Sequence, residues 1–457
     1  MSRPTQLTRL RAPLLEMARH NRALLANAGS MVGTTLVTSA LGVAFWLVAA
    51  HSFSQAAVGV ASAAVAAMTL LGFMGTLGLG TLLMGDLPRR AESHRSLLNA
   101  ALMVNLLAGS VLGLAFALCA PLISSNLSPL GESLPSIAFF AVGVGLTALA
   151  FVLDQALIGL LRGNLQLLRN VVFAVVKLAA LVPIAILIRN AGAPWIYSAW
   201  GAGIAISLGV LTRFYARRDG DTLWPNFALL IKMRVSAASH AAVNLALETA
   251  DLAMPILVVM LLSASANAAF YIAWMIAGFL VMVPLSLSMV AYAIGSADTS
   301  GLARRFRFTF GISLGFGVIA NLVLIPAAFP ALAIFGQSYA DQATTALHIM
   351  ALGVFPLTVK THYVSIHRVE RRLGTALPIV WGGTVLELGG GAVGAIMGGL
   401  TGVAWGWLAG LCVEGLVMSS DVLRGLRPDR AKAPRPVEAA DELAALTALD
   451  APTFERP

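Results

Sequence analysis

The sequence predicts an all-α polytopic membrane protein: about twelve transmembrane helices in two six-helix lobes, related by pseudo-twofold symmetry as parallel repeats. Three observations predict it. The 457 residues are 58% hydrophobic and 11% charged, with a mean hydropathy of +0.84. A soluble domain carries about 25% charged residues, so this chain lacks the side chains for a water-facing shell. Apolar runs long enough to cross roughly 30 Å of hydrocarbon follow one another along the whole chain. The basic residues fall in alternate gaps between those runs, which is the bias that orients membrane helices.

Residues 1–27 carry Arg3, Arg9, Arg11, Arg19 and Arg22 but no separate apolar core with a small-residue cleavage site. They read as a basic cytoplasmic N-terminus, not a removable signal peptide. The N-terminal lobe, 28–212, then holds spans at 28–50, 55–85, 97–119, 135–160, 170–189 and 194–212. At roughly 1.5 Å of rise per residue, span 55–85 is too long for the hydrocarbon core, so it must tilt, bend or protrude. Residues 213–235 form a cytoplasmic linker, in which Trp224, Phe227, Leu230 and Ile231 beside Lys232 and Arg234 predict a short interfacial helix. The C-terminal lobe, 236–423, holds spans at 236–262, 267–294, 308–329, 343–366, 374–398 and 401–423. Residues 424–457 are rich in Pro, Ala and charge and read as a mobile cytoplasmic tail, with one polar helix at 437–449.

Of the 30 Lys and Arg, all but Lys177, Arg189 and Lys360 fall in segments that this alternation places on one side. Both termini are therefore expected in the cytoplasm, with the chain in the cytoplasmic (inner) membrane. The formal charge of +9 is carried by short loops and not by a continuous face, so no nucleic-acid partner is expected. Cys119 and Cys412 form no CxxC pair and read as small apolar fillers. The linker divides six spans from six, and Ala56–Ala61 (AAVGVA) is echoed by Ala268–Ala273 (AAFYIA) at the start of the eighth span.

These patterns carry a resemblance. Span two, VGVASAAVAAMTLLGFMGTLGLGTLLMGDLPRR, resembles the second helix of the polysaccharide-exporting, O-antigen-flippase-like branch of the multidrug/oligosaccharidyl-lipid/polysaccharide (MOP) superfamily, where an FGxYxxA…DLGLGxAxxRExxR pattern occurs. Residues 248–273, ETADLAMPILVVMLLSASANAAFYIA, resemble that group's seventh helix and following turn, and FGQSY at 335–339 resembles its approach to helix ten. The chain departs from the pattern at Thr76, Gly85 and Leu252, which stand where the group carries charge, with Asp86 following Gly85. The resemblance implies a V-shaped pair of lobes working by alternating access. It also implies a polyprenyl-diphosphate-linked glycan as substrate, moved from the inner to the outer leaflet, with membrane lipids and cell-envelope glycan assembly proteins as partners.

Ionisable residues inside spans cost about 2.5–3.5 kcal/mol each on insertion scales, so each is a functional candidate. Asp154 and Lys177 are expected at matching depths, roughly 10 Å above the cytoplasmic ends of neighbouring helices, as a structural ion pair. Glu248 and Asp251 share a face at i, i+3. With Glu387 and Glu414 they are the candidates for binding a coupling cation, since acids sharing a dry site favour taking up a proton. His240 and His362 are further partners for them. A diphosphate headgroup needs positive charge, which points first to Lys360, then to Lys177, Arg213, Arg234 and Arg368. The glycines of span two and of 389–402 allow close helix approach, and Pro255, Pro284 and Pro356 interrupt helical hydrogen bonding.

No nucleotide loop, zinc ligand set or hydrolytic triad occurs, so the expected protein is not an enzyme and needs no cofactor. Two functions stay open: a flippase or exporter of lipid-linked oligosaccharide or polysaccharide precursors, cation-coupled, and a proton- or sodium-coupled multidrug-type exporter of the same superfamily. A membrane glycosyltransferase and a non-transporting scaffold are weaker alternatives. The first would want a sizeable loop or external domain, and the second would act through the tail.

Overall fold

A computed structural model of the protein describes residues 22–87, 94–188, 190–213, 224–232, 234–297, 302–370 and 372–427. The tail and its expected polar helix lie outside the described residues, as do the side chains of Arg234 and His240.

Among the described residues the regular structure is helical and no strand occurs, as the composition predicts. In chain order the helices are α1 (Arg22–Ser52), α2 (Gln55–Gly75), α3 (Leu79–Asp86), α4 (His94–Ile123), α5 (Leu134–Gly159), α6 (Gly163–Leu187), α7 (Ala193–Thr212) and α8 (Phe227–Lys232). They continue with α9 (Arg234–Leu261), α10 (Ala264–Ala297), α11 (Leu302–Ala333), α12 (Gln337–Leu352), α13 (Val354–Val369) and α14 (Leu373–Gly425). Nine described helices are long and apolar enough to cross a membrane. The pair α12 and α13, bent by 41°, makes a tenth span. The short helix α8 falls where the linker predicts one.

Breaks in the helices follow from glycine. The long second span does bend: α2 and α3 are separated at Thr76–Gly78, where Leu77 (φ 50°) and Gly78 (φ 73°) take left-handed conformations. Helix α14 loses helical dihedrals at Gly398 and Gly399 and folds back on itself. Its arms touch backbone to backbone, because a methyl at Gly394 would overlap the Gly402 carbonyl and one at Gly390 the Gly406 carbonyl. The two arms occupy the last two predicted spans. Pro356 does not break a helix: it lies in the first turn of α13, where its missing N–H has no intrahelical acceptor anyway. Cys119 and Cys412 are exposed on the apolar surface and fill no core, contrary to expectation.

Helix α2 is the axis of the assembly. It is apolar on every side and buried from Ala57 to Met68, because it packs against α5 and α7 of its own lobe and α9 and α10 of the other. Packing within the lobes repeats: α1 lies against α6 as α9 lies against α14. The lobes meet most tightly at the end away from the basic loops. There Gln55 donates to the Ser265 carbonyl, Asn126 to the Val259 carbonyl, and Ser338 to the Gln55 side-chain oxygen. A methyl at Gly59 would overlap the Ala264 carbonyl, so only glycine permits that crossing. Toward the basic end, a cavity of about 220 Å³ opens between Thr76, Gly78, Asp154 and Gln166 of one lobe and Asn244 and Leu245 of the other.

Candidate functional site

Charged and aromatic side chains line the middle of both lobes. In the C-terminal lobe, Lys360 of α13 donates to Glu387 Oε1 at 2.6 Å and to Glu414 Oε2 at 3.1 Å, the two acids coming from the two arms of α14. All three are buried, and Glu414 is only 2% exposed. Glycine makes this cluster possible. A methyl at Gly383 would overlap the Glu414 carboxylate, and one at Gly353, the bend between α12 and α13, would overlap the Trp407 ring. Seated in that notch, Trp407 donates its indole N–H to Glu387 Oε2 at 2.9 Å. The cluster carries two carboxylates on one ammonium, and Glu414 Oε1 has no hydrogen-bond partner among the described residues.

Glu248 and Asp251 stand apart from that cluster. With Asn244, which lines the cavity between the lobes, they fall at i, i+4 and i+7 on one face of α9, and both are exposed. Trp274 donates to Asp251 at 2.7 Å, and its ring meets Trp407 edge-on at 4.9 Å. Two indoles thus connect Asp251 of α9 to Glu387 in the cluster. His362 is buried between Thr309 and the Thr358 carbonyl and touches none of these acids.

The N-terminal lobe corrects one expected pair. Asp154 does not meet Lys177. It receives a bidentate pair of hydrogen bonds from Arg169, 2.8 Å from Nε and 2.6 Å from Nη2, with Asn170 alongside. The reason is register. Helix α6 begins at Gly163, well before the predicted edge at 170, which lifts Lys177 to about 20 Å from the helix start and brings Arg169 level with Asp154. Lys177, 3% exposed, has its ammonium 3.7 Å from the Trp200 ring, 4.6 Å from Phe173 and 5.3 Å from Phe45. Cation–π contacts replace a counter-ion there. Next to this cage Trp46 meets Tyr271 of the other lobe at 4.8 Å, so the aromatic layer runs across the interface.

Among the residues expected to hold an anionic headgroup, Lys360 is engaged by two acids, and Lys177 faces aromatic rings. Arg213 is exposed at the basic end, and Arg368 donates to Asn244 at 3.1 Å while lying near Tyr292. The structure brings Glu387 and Glu414 together on Lys360 but leaves Glu248 and Asp251 exposed on α9, away from that cluster. Sequence reasoning missed Arg169, which reads as a loop charge, and the tryptophans 46, 200, 274 and 407. Their signal was available: an indole N–H inside a span needs an acceptor.

Residues 241–389 match the MatE family model. The curated proteins include no match to the chain. Among solved structures, an inward-facing conformation of a multidrug resistance MATE family transporter of the MOP superfamily shares 16% identity over 88% of this chain and 96% of its own, with a TM-score of 0.65. An outward-facing conformation of such a transporter gives 15% identity over 88% and 96%, with a TM-score of 0.57. A MOP superfamily transporter from Pyrococcus furiosus, described as having a binding pocket of reverse polarity, gives 14% over 94% and 97%, with a TM-score of 0.58. The chain therefore has the fold of these two-lobed transporters.

Proposed function

We propose that this protein is a proton-coupled exporter of amphipathic compounds that works by alternating access, with Lys360, Glu387 and Glu414 as the coupling site. The observation that carries the proposal is two buried carboxylates sharing one ammonium. Fully ionised, the cluster holds one excess negative charge in a dry site, and one proton neutralises it. A sodium ion would need a cage of oxygens where the Lys360 ammonium already lies between the carboxylates. Glu248 and Asp251 supply the negative face of the cleft, where a cationic amphiphile would enter. Closure of the lobes at the end away from the basic loops, with a cavity near the basic end, fits an inward-facing state. The fold, shared with solved multidrug resistance MATE family transporters, supports the same reading. No catalytic step is assigned to the chain.

One observation favours a second reading, the flippase of a lipid-linked glycan. Lys177 is a buried cation with no acid beside it among the described residues, and an anionic headgroup would supply a negative partner. In that reading the substrate would be seated nearer the N-terminal lobe.

Purified protein in proteoliposomes under an imposed pH gradient tests the proposal, with ethidium as the transported dye. Dye movement that depends on the gradient in the wild type, and that loses this dependence in Glu414→Gln and Glu387→Gln, is the expected result. Transport by both variants with unchanged proton dependence overturns the coupling site. Lipid extracts from depleted cells separate the two readings: a polyprenyl-linked glycan that accumulates, without new dye sensitivity, selects the flippase.

A further inference from the structure

We propose that the break between α2 and α3 is a two-state hinge, bent while the cavity near the basic end is open and straightened into one continuous helix when the lobes close over it. It rests on the alternating access proposed above, and not on the coupling site.

Backbone geometry carries the hinge. Leu77 has φ 50° and Gly78 has φ 73°. Glycine adopts that left-handed region freely, but in leucine it crowds Cβ against the following carbonyl oxygen. Leu161 and Asn190 are the other non-glycine residues with positive φ among the described residues, and both stand in turns between spans. Leu77 stands inside one. Its side chain is 49% exposed, so little packing is gained in return. The break also interrupts backbone bonding. The N–H groups of Thr76, Leu77 and Leu79 donate to the carbonyls of Phe73, Met74 and Thr76, each at three-residue spacing. The four-residue ladder that would carry α2 into α3 is lost there.

The seat of α3 offsets this strain. Leu79, Leu82, Leu83 and Leu87 are buried in an apolar cluster with residues of α4 and α5 and with Leu230 of α8. Backbones touch there as well, because a methyl at Gly159 of α5 would overlap the Met84 carbonyl. Helix α3 therefore gives up continuity for packing, while leucine at 77, a strong helix former, pulls the other way. A strained residue persists only where its surroundings hold it, so moving α3 off its seat releases Leu77 to helical dihedrals.

The break also sits where access is controlled. Thr76 and Gly78 line the cavity, with Gly80 and Thr81 of α3 beside them and Asn244 and Leu245 of the other lobe completing it. Helix α9, which carries those last two residues, packs on both α2 and α3. Straightening at 76–78 thus lifts α3 from its seat and shifts one wall of the cavity. The helix that meets this wall belongs to the other lobe, so the hinge and the approach of the lobes are one motion.

Two substitutions push the hinge in opposite directions. Leu77→Gly removes the left-handed cost and weakens a continuous helix, which favours the bent form. Gly78→Ala imposes that cost and strengthens a continuous helix, which favours the straight form. The full chain in lipid nanodiscs carries spin labels at Met103→Cys and Phe308→Cys, exposed on α4 and α11 of opposite lobes, in a background without Cys119 and Cys412. The ratio of long to short label distances reads how open the basic end is. Gly78→Ala is expected to lower that ratio about five- to thirtyfold, and Leu77→Gly to raise it by a similar factor. An unchanged ratio in both variants, or a shift of both in the same direction, overturns the hinge, while two populations in the wild type still support alternating access. A single, identical distance in the wild type and both variants, with and without ethidium, overturns the hinge and alternating access together.

Discussion

Asn267 and Gln55 hold corresponding places in the two halves of the chain, and each reaches across to backbone of the other lobe. Asn267 donates to the Gly59 carbonyl at 2.7 Å and the Ser62 hydroxyl at 3.1 Å, while Gln55 donates to the Ser265 carbonyl at 3.1 Å. A reciprocal pair of carboxamides therefore ties the two lobes together. A repeat that is faint in sequence is concrete here.

Asn267→Ala should loosen this closure. Two lost hydrogen bonds, at about 0.5–1.5 kcal/mol each, remove roughly 1–3 kcal/mol from the closed arrangement, or about five- to 150-fold in population. Spin labels at Leu122→Cys and Leu261→Cys, both exposed near that end on opposite lobes, read the change in a background without Cys119 and Cys412. A longer-distance population should appear or grow in the variant. Identical distance distributions would show that the amides do not hold the lobes.

The Arg169–Asp154 pair makes a different demand. Removing one member of a buried ion pair leaves an uncompensated charge and costs about 3–5 kcal/mol, whereas replacing both by apolar residues is often neutral. Asp154→Asn alone should lower the thermal midpoint markedly in detergent, and the double variant Asp154→Leu with Arg169→Met should recover most of it. If the double variant is as unstable as the single one, the pair contributes through the polar wall of the cavity, not through its charge balance.

How far the fold was legible depends on what kind of signal each part left. Apolar length and basic gaps made the all-helical membrane fold legible, because the bilayer imposes both directly, and nine described helices, or ten with the bent pair, are long and apolar enough to cross it. The break after Gly75 was legible as excess length, although not its position. The ion pairs were not legible, because pairing depends on depth, and an error of a few residues at a helix start shifts depth by a full turn or more. Lys177 lost its expected partner that way. The Lys360 cluster was half legible: Glu387, Glu414 and Lys360 were each marked as costly, but the turn at Gly398 and Gly399 that brings both acids to one ammonium was hidden in a glycine run. Trp407 and Trp274 left no charge in the sequence to mark them, although their N–H groups donate to Glu387 and Asp251.

Gly383 and Gly382 are adjacent, and only one of them matters for the site. A methyl at Gly383 would overlap the Glu414 carboxylate, while one at Gly382 meets nothing within 4 Å. Gly383→Ala should therefore displace Glu414 from Lys360, destabilise the protein by about 1–3 kcal/mol and reduce proton-coupled transport. Gly382→Ala should be neutral or slightly stabilising, since alanine is the better helix former. Thermal unfolding and dye transport on the same two preparations check this. Equal behaviour of the pair would mean that Glu414 has room to move aside at no cost.

Lys177 allows a prediction whose sign is informative. Three aromatic rings around its ammonium contribute roughly 2 kcal/mol, but an unpaired buried charge costs several. Lys177→Met keeps the length and the apolar contacts of the stem and removes the charge, so the thermal midpoint should rise, corresponding to at least about 1 kcal/mol. A residue retained against its own stability is retained for something it does, and the functional readout then identifies it. If Lys177→Met is more stable but no longer moves an anionic lipid-linked substrate, the ammonium is held in reserve for a headgroup and the flippase reading gains. If it is more stable and still exports ethidium under a pH gradient, the substrate does not need the charge, and the acids on α9 and α14 carry recognition and coupling between them. A fall in the midpoint would instead mean that the aromatic cage more than offsets desolvation, making Lys177 a structural pin between α1, α6 and α7.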